Sequence, residues 1–136
     1  RQAIAWYNAR HDVRELLPKE RNGYARAHWR DEGTPSVRHL DGNAWVDYGN
    51  SPYARSGKKD GGDAFEALCR VSGKARREAL RDLVLPELLR EAGVLLAAAA
   101  RAGVGPPGWV AAITSPRGWR WYDEERASAG ARSVRP

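Results

Sequence analysis

Aromatic rings set among cations are the residues of this chain whose types and spacing suit chemistry with a partner. Tyr24, Arg26, His28, Arg38, Trp45 and Tyr48 fall close together in the first half of the chain. Tyr53, Arg55, Lys58 and Lys59 follow in the polar run Gly49 to Gly62. A base stacks on a ring for about 1–3 kcal/mol while cations track the phosphates, so this mixture suits an unpaired nucleic-acid strand. The predicted contacts are Tyr24, Arg26, Arg38, Tyr48, Tyr53, Arg55, Lys58 and Lys59. Trp29 and Trp45 fit core packing equally well. Arg70, Lys74, Arg76, Arg77 and Arg81 form a second basic set, which also reads as a solvated helix face.

Catalytic chemistry finds less support. Asp31 and Glu32 are adjacent carboxylates, and adjacent side chains point apart. Ser72-Gly73-Lys74-Ala75 lacks both the upstream glycine and the hydroxyl residue of a phosphate-binding loop. Cys69 falls on an apolar helix face, where a packed, inert thiol is expected. Ser36 and His39 have no third group to complete a nucleophilic set. His11, His28, His39 and Cys69 match no metal-ligand spacing. No catalytic residue, metal or cofactor is expected.

These side chains need elements to hold them. Apolar spacing predicts a helix over about 2–9 and a short one over 12–17, with Asp12 and Glu15 as a capping box and Pro18 as the stop. Asn22-Gly23 is a hairpin or strand-entry signal. Alternation from Tyr24 to Trp29 predicts a strand, and Asp41-Gly42-Asn43 joins two more. The fold class is therefore α+β: a small three-stranded antiparallel sheet over about 24–29, 36–40 and 44–48, flanked by N-terminal helices and a C-terminal set of helices. Gly49 to Gly62 reads as a long polar loop. Asp63 caps a helix whose stripe is Phe65, Leu68 and Cys69, and Ser72-Gly73 ends it. A further helix covers 74–85, and Pro86 breaks the chain into a fresh helix running to about Ala102. Trp109 to Thr114 is a short helix, and Trp119, Trp121 and Tyr122 form an aromatic cluster.

The bulk numbers set the frame. Net charge is +6 from 23 basic and 17 acidic side chains in 136 residues. Nineteen of the basic residues are arginine, whose flat fork matches phosphates and stacks on rings. A basic balance makes nucleic acid the first partner to consider. A single cysteine excludes an internal disulfide and fits a reducing cytoplasm. No apolar run is long enough for a transmembrane helix, and no membrane partner is expected.

Several short pieces, in order, resemble the zinc-binding module of bacterial, phage and plasmid DNA primases. That family reads Cys-Pro-x-His-x-x-x-Thr-Pro-Ser, then a hairpin strand ending in an aromatic, Cys-x-x-Cys, and Gly-Gly-Asp opening a helix. Here stand Thr34-Pro35-Ser36, Trp45 and Tyr48, and Gly61-Gly62-Asp63 with Phe65. The four ligand positions fall on Ala27, Arg30, Asp47 and Asn50. Alanine has no donor and arginine cannot ligate a cation, so the resemblance implies a zinc-ribbon frame without zinc. Apolar packing of Trp29, Trp45 and Phe65, and an Arg30–Asp47 charge pair, are the expected replacements. The segment from Asn50 to Gly61 is longer than in the family. The implied organisation is a degenerate zinc-ribbon-like module over 1–85, a helical extension packing on it over 86–126 and a flexible tail over 127–136. The implied function is non-catalytic binding of single-stranded DNA beside the other domains or subunits of a primase or helicase assembly. The alternative is a protein-interaction module of a replication or mobile-element protein, with Trp109, Trp119 and Trp121 on the partner.

Overall fold

A computed structural model describes residues 2–30 and 34–114. The chain divides into two compact units, Arg1–Ala79 and Leu80–Pro136.

The first unit opens with α1 (Gln2–Arg10) and α2 (Val13–Leu16). Asp12 caps α2 as its spacing predicts: the carboxylate accepts from the Arg14 N–H, and Glu15 reaches back to the Asp12 N–H to close the box. Five strands follow: β1 (Lys19–Arg21), β2 (Tyr24–Ala25), β3 (Val37–Leu40), β4 (Ala44–Asp47) and β5 (Asp60–Gly62). They form one antiparallel sheet in the order β1-β2-β3-β4-β5. Two helices close the unit, α3 (Ala64–Ser72) and α4 (Arg76–Ala79).

The α+β class stands, but the sheet has five strands rather than three. Lys-Glu-Arg in β1 and Asp-Gly-Gly in β5 carry no apolar alternation, so period two cannot disclose them. Both are edge strands, where charge and glycine are tolerated because one side has no partner to pack against. The predicted strand 24–29 shortens to Tyr24–Ala25, because Ala27 to Arg30 folds into a turn closed by the Arg30 N–H on the Ala27 carbonyl at 3.3 Å.

Register sorts the side chains. Ala25, Val37, Asp47 and Asp60 pair in succession across β2 to β5 and form one row of the inner face. All four are buried. Trp45, two residues from Asp47, lies on the same face, buried, with its ring edge-on to Trp29 at 5.6 Å. Its indole N–H donates to the Asp63 carbonyl at 2.9 Å. Phe65 is fully buried and meets Tyr7 edge-on. The expected packing of Trp29, Trp45 and Phe65 is thus present as one Trp pair and a separate Phe–Tyr contact.

Two asparagines fasten the helices. Asn43, in the left-handed region, accepts from the Val13 N–H and donates to the Asn8 and His11 carbonyls, between the end of α1 and the start of α2. Asn8 in turn accepts from the Phe65 N–H and donates to Asp63. Asp63 caps α3 through the Glu66 N–H, as the sequence indicates, and Gly73 ends that helix.

In the second unit, residues 80–84 wind as a π-helix, followed by α5 (Leu85–Ala102) and α6 (Gly108–Thr114). Pro86 lies in the first turn of α5, but no break precedes it, because Val84 keeps helical angles. The wider π winding accommodates a residue that lacks an N–H and crowds the preceding turn. Trp119, Trp121, Tyr122 and the predicted tail at 127–136 lie outside the described residues. Among the described residues no helix is long and apolar enough to cross a membrane.

Candidate nucleic-acid interface

Two buried carboxylates organise the end of the sheet that faces the long loop. Asp47 and Asp60 are cross-strand partners on β4 and β5, 0% and 4% exposed. Like charges directly opposite one another on a sheet repel, and each aspartate is answered by its own arginine. The Arg30 fork spans both oxygens of Asp47, with Nη2 at 2.9 Å from Oδ1. The Ser36 hydroxyl donates to Asp47 at 2.8 Å and accepts from Arg30 at 2.6 Å, and the Gly49 N–H donates at 2.9 Å. Arg70 forks onto Asp60 at 2.9 and 3.2 Å, and the Ser51 hydroxyl donates to Asp60 at 2.9 Å. Both sets have the same composition: a buried Asp, an Arg fork and a Ser hydroxyl.

Burial pushes the Asp47 carboxyl up. The Arg30 and Gly49 hydrogen bonds, the Ser36 hydroxyl and the Arg30 charge outweigh it, so the group titrates below the ordinary carboxylate range. Glycine at 49 is required by proximity, since a Cβ there would run into the Arg30 guanidinium. At Gly61 a Cβ would stand 2.5 Å from the Trp45 carbonyl oxygen, so glycine lets β5 close against β4.

Arg30 and Asp47, two of the four positions that the sequence resemblance assigns to metal ligands, therefore meet as an ion pair. Ala27 is buried beneath the turn it begins, and Asn50 is exposed. The histidines go elsewhere: His11 stacks on Tyr7 at 4.1 Å, His28 stands 3.7 Å from Glu20, and His39 donates Nε2–H to the Leu17 carbonyl at 2.7 Å. Among the described residues no three His, Cys, Asp or Glu side chains converge as a metal site. Cys69 is buried, and burial pushes its thiol up to about 11, which leaves it a poor nucleophile at neutral pH.

The segment 49–62 is not structureless. Ser51 starts a turn closed by the Ala54 N–H on its carbonyl at 3.2 Å, and the Tyr53 N–H donates to the Ser51 hydroxyl at 3.1 Å. Arg55 and Lys58 then pair as an antiparallel bridge around Gly57, and the chain returns as β5. A short hairpin thus projects from the sheet, held at its base by the Ser51–Asp60 bond. A long segment of glycine and charge hides this from pattern reading, because neither turn-closing bond depends on apolar residues.

The eight predicted contact residues separate into two groups. Tyr48, Tyr53, Arg55, Lys58 and Lys59 are exposed on or beside the hairpin. The Lys59 ammonium lies over the Tyr48 ring at 5.8 Å, and the Arg70 guanidinium over Tyr53 at 4.1 Å. Among the described residues, a hollow of about 470 Å³ between Gly49–Ser51 and Ala54–Lys59 is lined by Arg55, Lys58 and Lys59 and by no carboxylate. On the sheet stand half-buried Tyr24, exposed Arg38 and Arg26, whose Nε is held between the Glu20 oxygens at 3.1 and 3.2 Å. Arg70 leaves the second basic set, largely buried on Asp60, whereas Arg76 stays exposed while it pairs with Glu66 and lies over Phe65. Asp60, Ser51 and the role of Arg70 escaped sequence reasoning. An acid at the end of the Lys58-Lys59 run was the one available sign. Compared with protein-family models, curated proteins and solved structures, the chain matches none of them.

Proposed function

We propose that the first unit is a non-catalytic module that binds single-stranded DNA, built on a zinc-ribbon-like frame of the primase type in which paired side chains stand where metal ligands would be. The observation that carries the binding reading is the projecting hairpin. It presents exposed Tyr48 and Tyr53 beside Arg55, Lys58 and Lys59, with a hollow at its base that has no carboxylate among its described lining residues. Rings that accept bases and cations that follow phosphates are what a single strand requires. In this reading the module serves a neighbouring primase or helicase domain in the cytoplasm of a bacterium, or in a plasmid or phage system. Arg26, with its charge satisfied by Glu20, contributes less than Arg38.

The test is a salt titration on a short labelled single strand. Affinity should fall linearly on logarithmic axes, with a slope of about −0.7 per phosphate neutralised. Replacing Lys58 and Lys59 together with alanine should flatten the slope by about 1.4 and weaken all sequences alike. Absence of binding at low salt, or a salt-independent affinity, overturns the reading.

One observation favours a protein partner instead. In the second unit Val94, Leu96, Val104 and Trp109 are 62%, 40%, 61% and 37% exposed. Salt-insensitive association through these side chains, with no affinity for DNA, would establish that alternative.

A further inference from the structure

The geometry points to Tyr53 as a fixed platform for one unpaired base, with Arg70 as the residue that positions it; this deepens the single-strand reading and rests on it. The Arg70 guanidinium lies 4.1 Å from the Tyr53 ring centre, within the range of a cation–π contact. It thus covers one face of the ring. The residue is nevertheless 48% exposed, which leaves ring surface open to solvent.

Arg70 does not itself behave as a surface cation. Its side chain is 14% exposed, forked onto Asp60 and 3.4 Å from Glu66. The guanidinium is therefore held as a rigid backing plate. The ring is also fixed from its backbone, because the Tyr53 N–H donates to the Ser51 hydroxyl and that hydroxyl donates to Asp60. Both supports of Tyr53 end on one buried carboxylate, and that carboxylate sits on β5 in register with Asp47. A ring held this way loses little side-chain freedom when a base lands on it, which is how preorganisation raises affinity.

The surroundings suit a nucleotide. A hollow of about 220 Å³ beside Tyr53 is lined by Arg55, Lys58, Lys59 and Gly61. The two carboxylates among its described lining residues, Asp60 and Glu66, are paired with Arg70 and with Arg70 and Arg76 respectively. A base on Tyr53 would place its backbone within the cationic hairpin, whose tip is fixed by the Arg55–Lys58 bridge. The site takes a nucleotide with a base attached, not phosphate alone.

The experiment compares two labelled single strands of equal length, one of oligothymidine and one with abasic sugars and the same phosphates. Tyr53→Ala should lower affinity for oligothymidine about tenfold, while leaving the abasic strand and the salt slope unchanged. Tyr53→Phe should keep both affinities, and Tyr53→Leu, with bulk but no ring, should behave as the alanine variant does. Arg70→Lys keeps a charge for Asp60 but has no flat face. It should weaken oligothymidine several-fold and spare the abasic strand, a split that a merely structural role would not produce. Equal binding of both strands by wild type and Tyr53→Ala overturns the platform and leaves the phosphate-binding reading standing. No binding of either strand by wild type overturns both.

Discussion

Arg30 and Asp47 show what a buried ion pair does at the scale of single residues. Their side chains are 7% and 0% exposed, and the carboxylate accepts from a guanidinium, a hydroxyl and a backbone N–H. Removing one charge from such a pair leaves the other desolvated and unanswered, at a cost of about 3–5 kcal/mol. Replacing both with apolar groups of similar volume removes the desolvation cost as well. Arg30→Met alone and Asp47→Leu alone should each lower unfolding free energy by about 3–5 kcal/mol. The double variant should be more stable than either single one, as read from urea midpoints in a double-mutant cycle. Additive losses would mean that the two groups act independently. This pair was legible in the sequence, because the frame of Thr34-Pro35-Ser36 and Trp45-to-Tyr48 assigned both residues to positions that converge. Its neighbour Asp60–Arg70 was not. No frame assigns those residues, and an arginine among helix-face arginines looks solvated until its carboxylate is placed.

At the scale of elements, one turn and one strand end carry the candidate metal-ligand positions: Ala27–Arg30, and the stretch from Asp47 to Asn50 that leaves β4. Each holds its two positions three residues apart, the spacing with which a pair of ligands grips one ion. If the frame is that of a zinc ribbon, restoring the donors should restore the site. The variant Ala27→Cys, Arg30→His, Asp47→Cys, Asn50→Cys, refolded with zinc, should bind one ion per chain and melt at a higher temperature than without it. A variant that stays metal-free in excess zinc overturns the zinc-ribbon proposal without touching DNA binding. Apolar periodicity disclosed α1, α2, α3, β3 and β4. It missed β1 and β5, whose residues are charges and glycines placed by their neighbours' backbone hydrogen bonds. At Pro86 the expected fresh helix is present, α5 from Leu85 to Ala102, but a change of winding rather than a break precedes it.

For the whole molecule, the depressed Asp47 carboxyl links stability to pH. The folded chain holds that proton less tightly than the unfolded chain does. The contribution is complete above the ordinary carboxylate value near 4 and is lost as pH falls through the lower folded value. Thermal midpoints of wild type should therefore fall more steeply on acidification below about pH 4 than those of the Arg30→Met, Asp47→Leu double variant. Parallel curves would remove Asp47 from the acid response. The strand order of the sheet has a consequence of a different kind. Each strand from β2 to β5 pairs with its immediate predecessor in sequence, so no pairing waits for a distant segment, and closing short loops costs little chain entropy. As the chain emerges during synthesis, residues 19–47 already contain β1 to β4 and both members of the Arg30–Asp47 pair. The hairpin with its tyrosine can be secured only after β5 has added Asp60 and α3 has delivered Arg70. Within the first unit, the supports of the proposed binding surface are thus the last to be supplied along the chain.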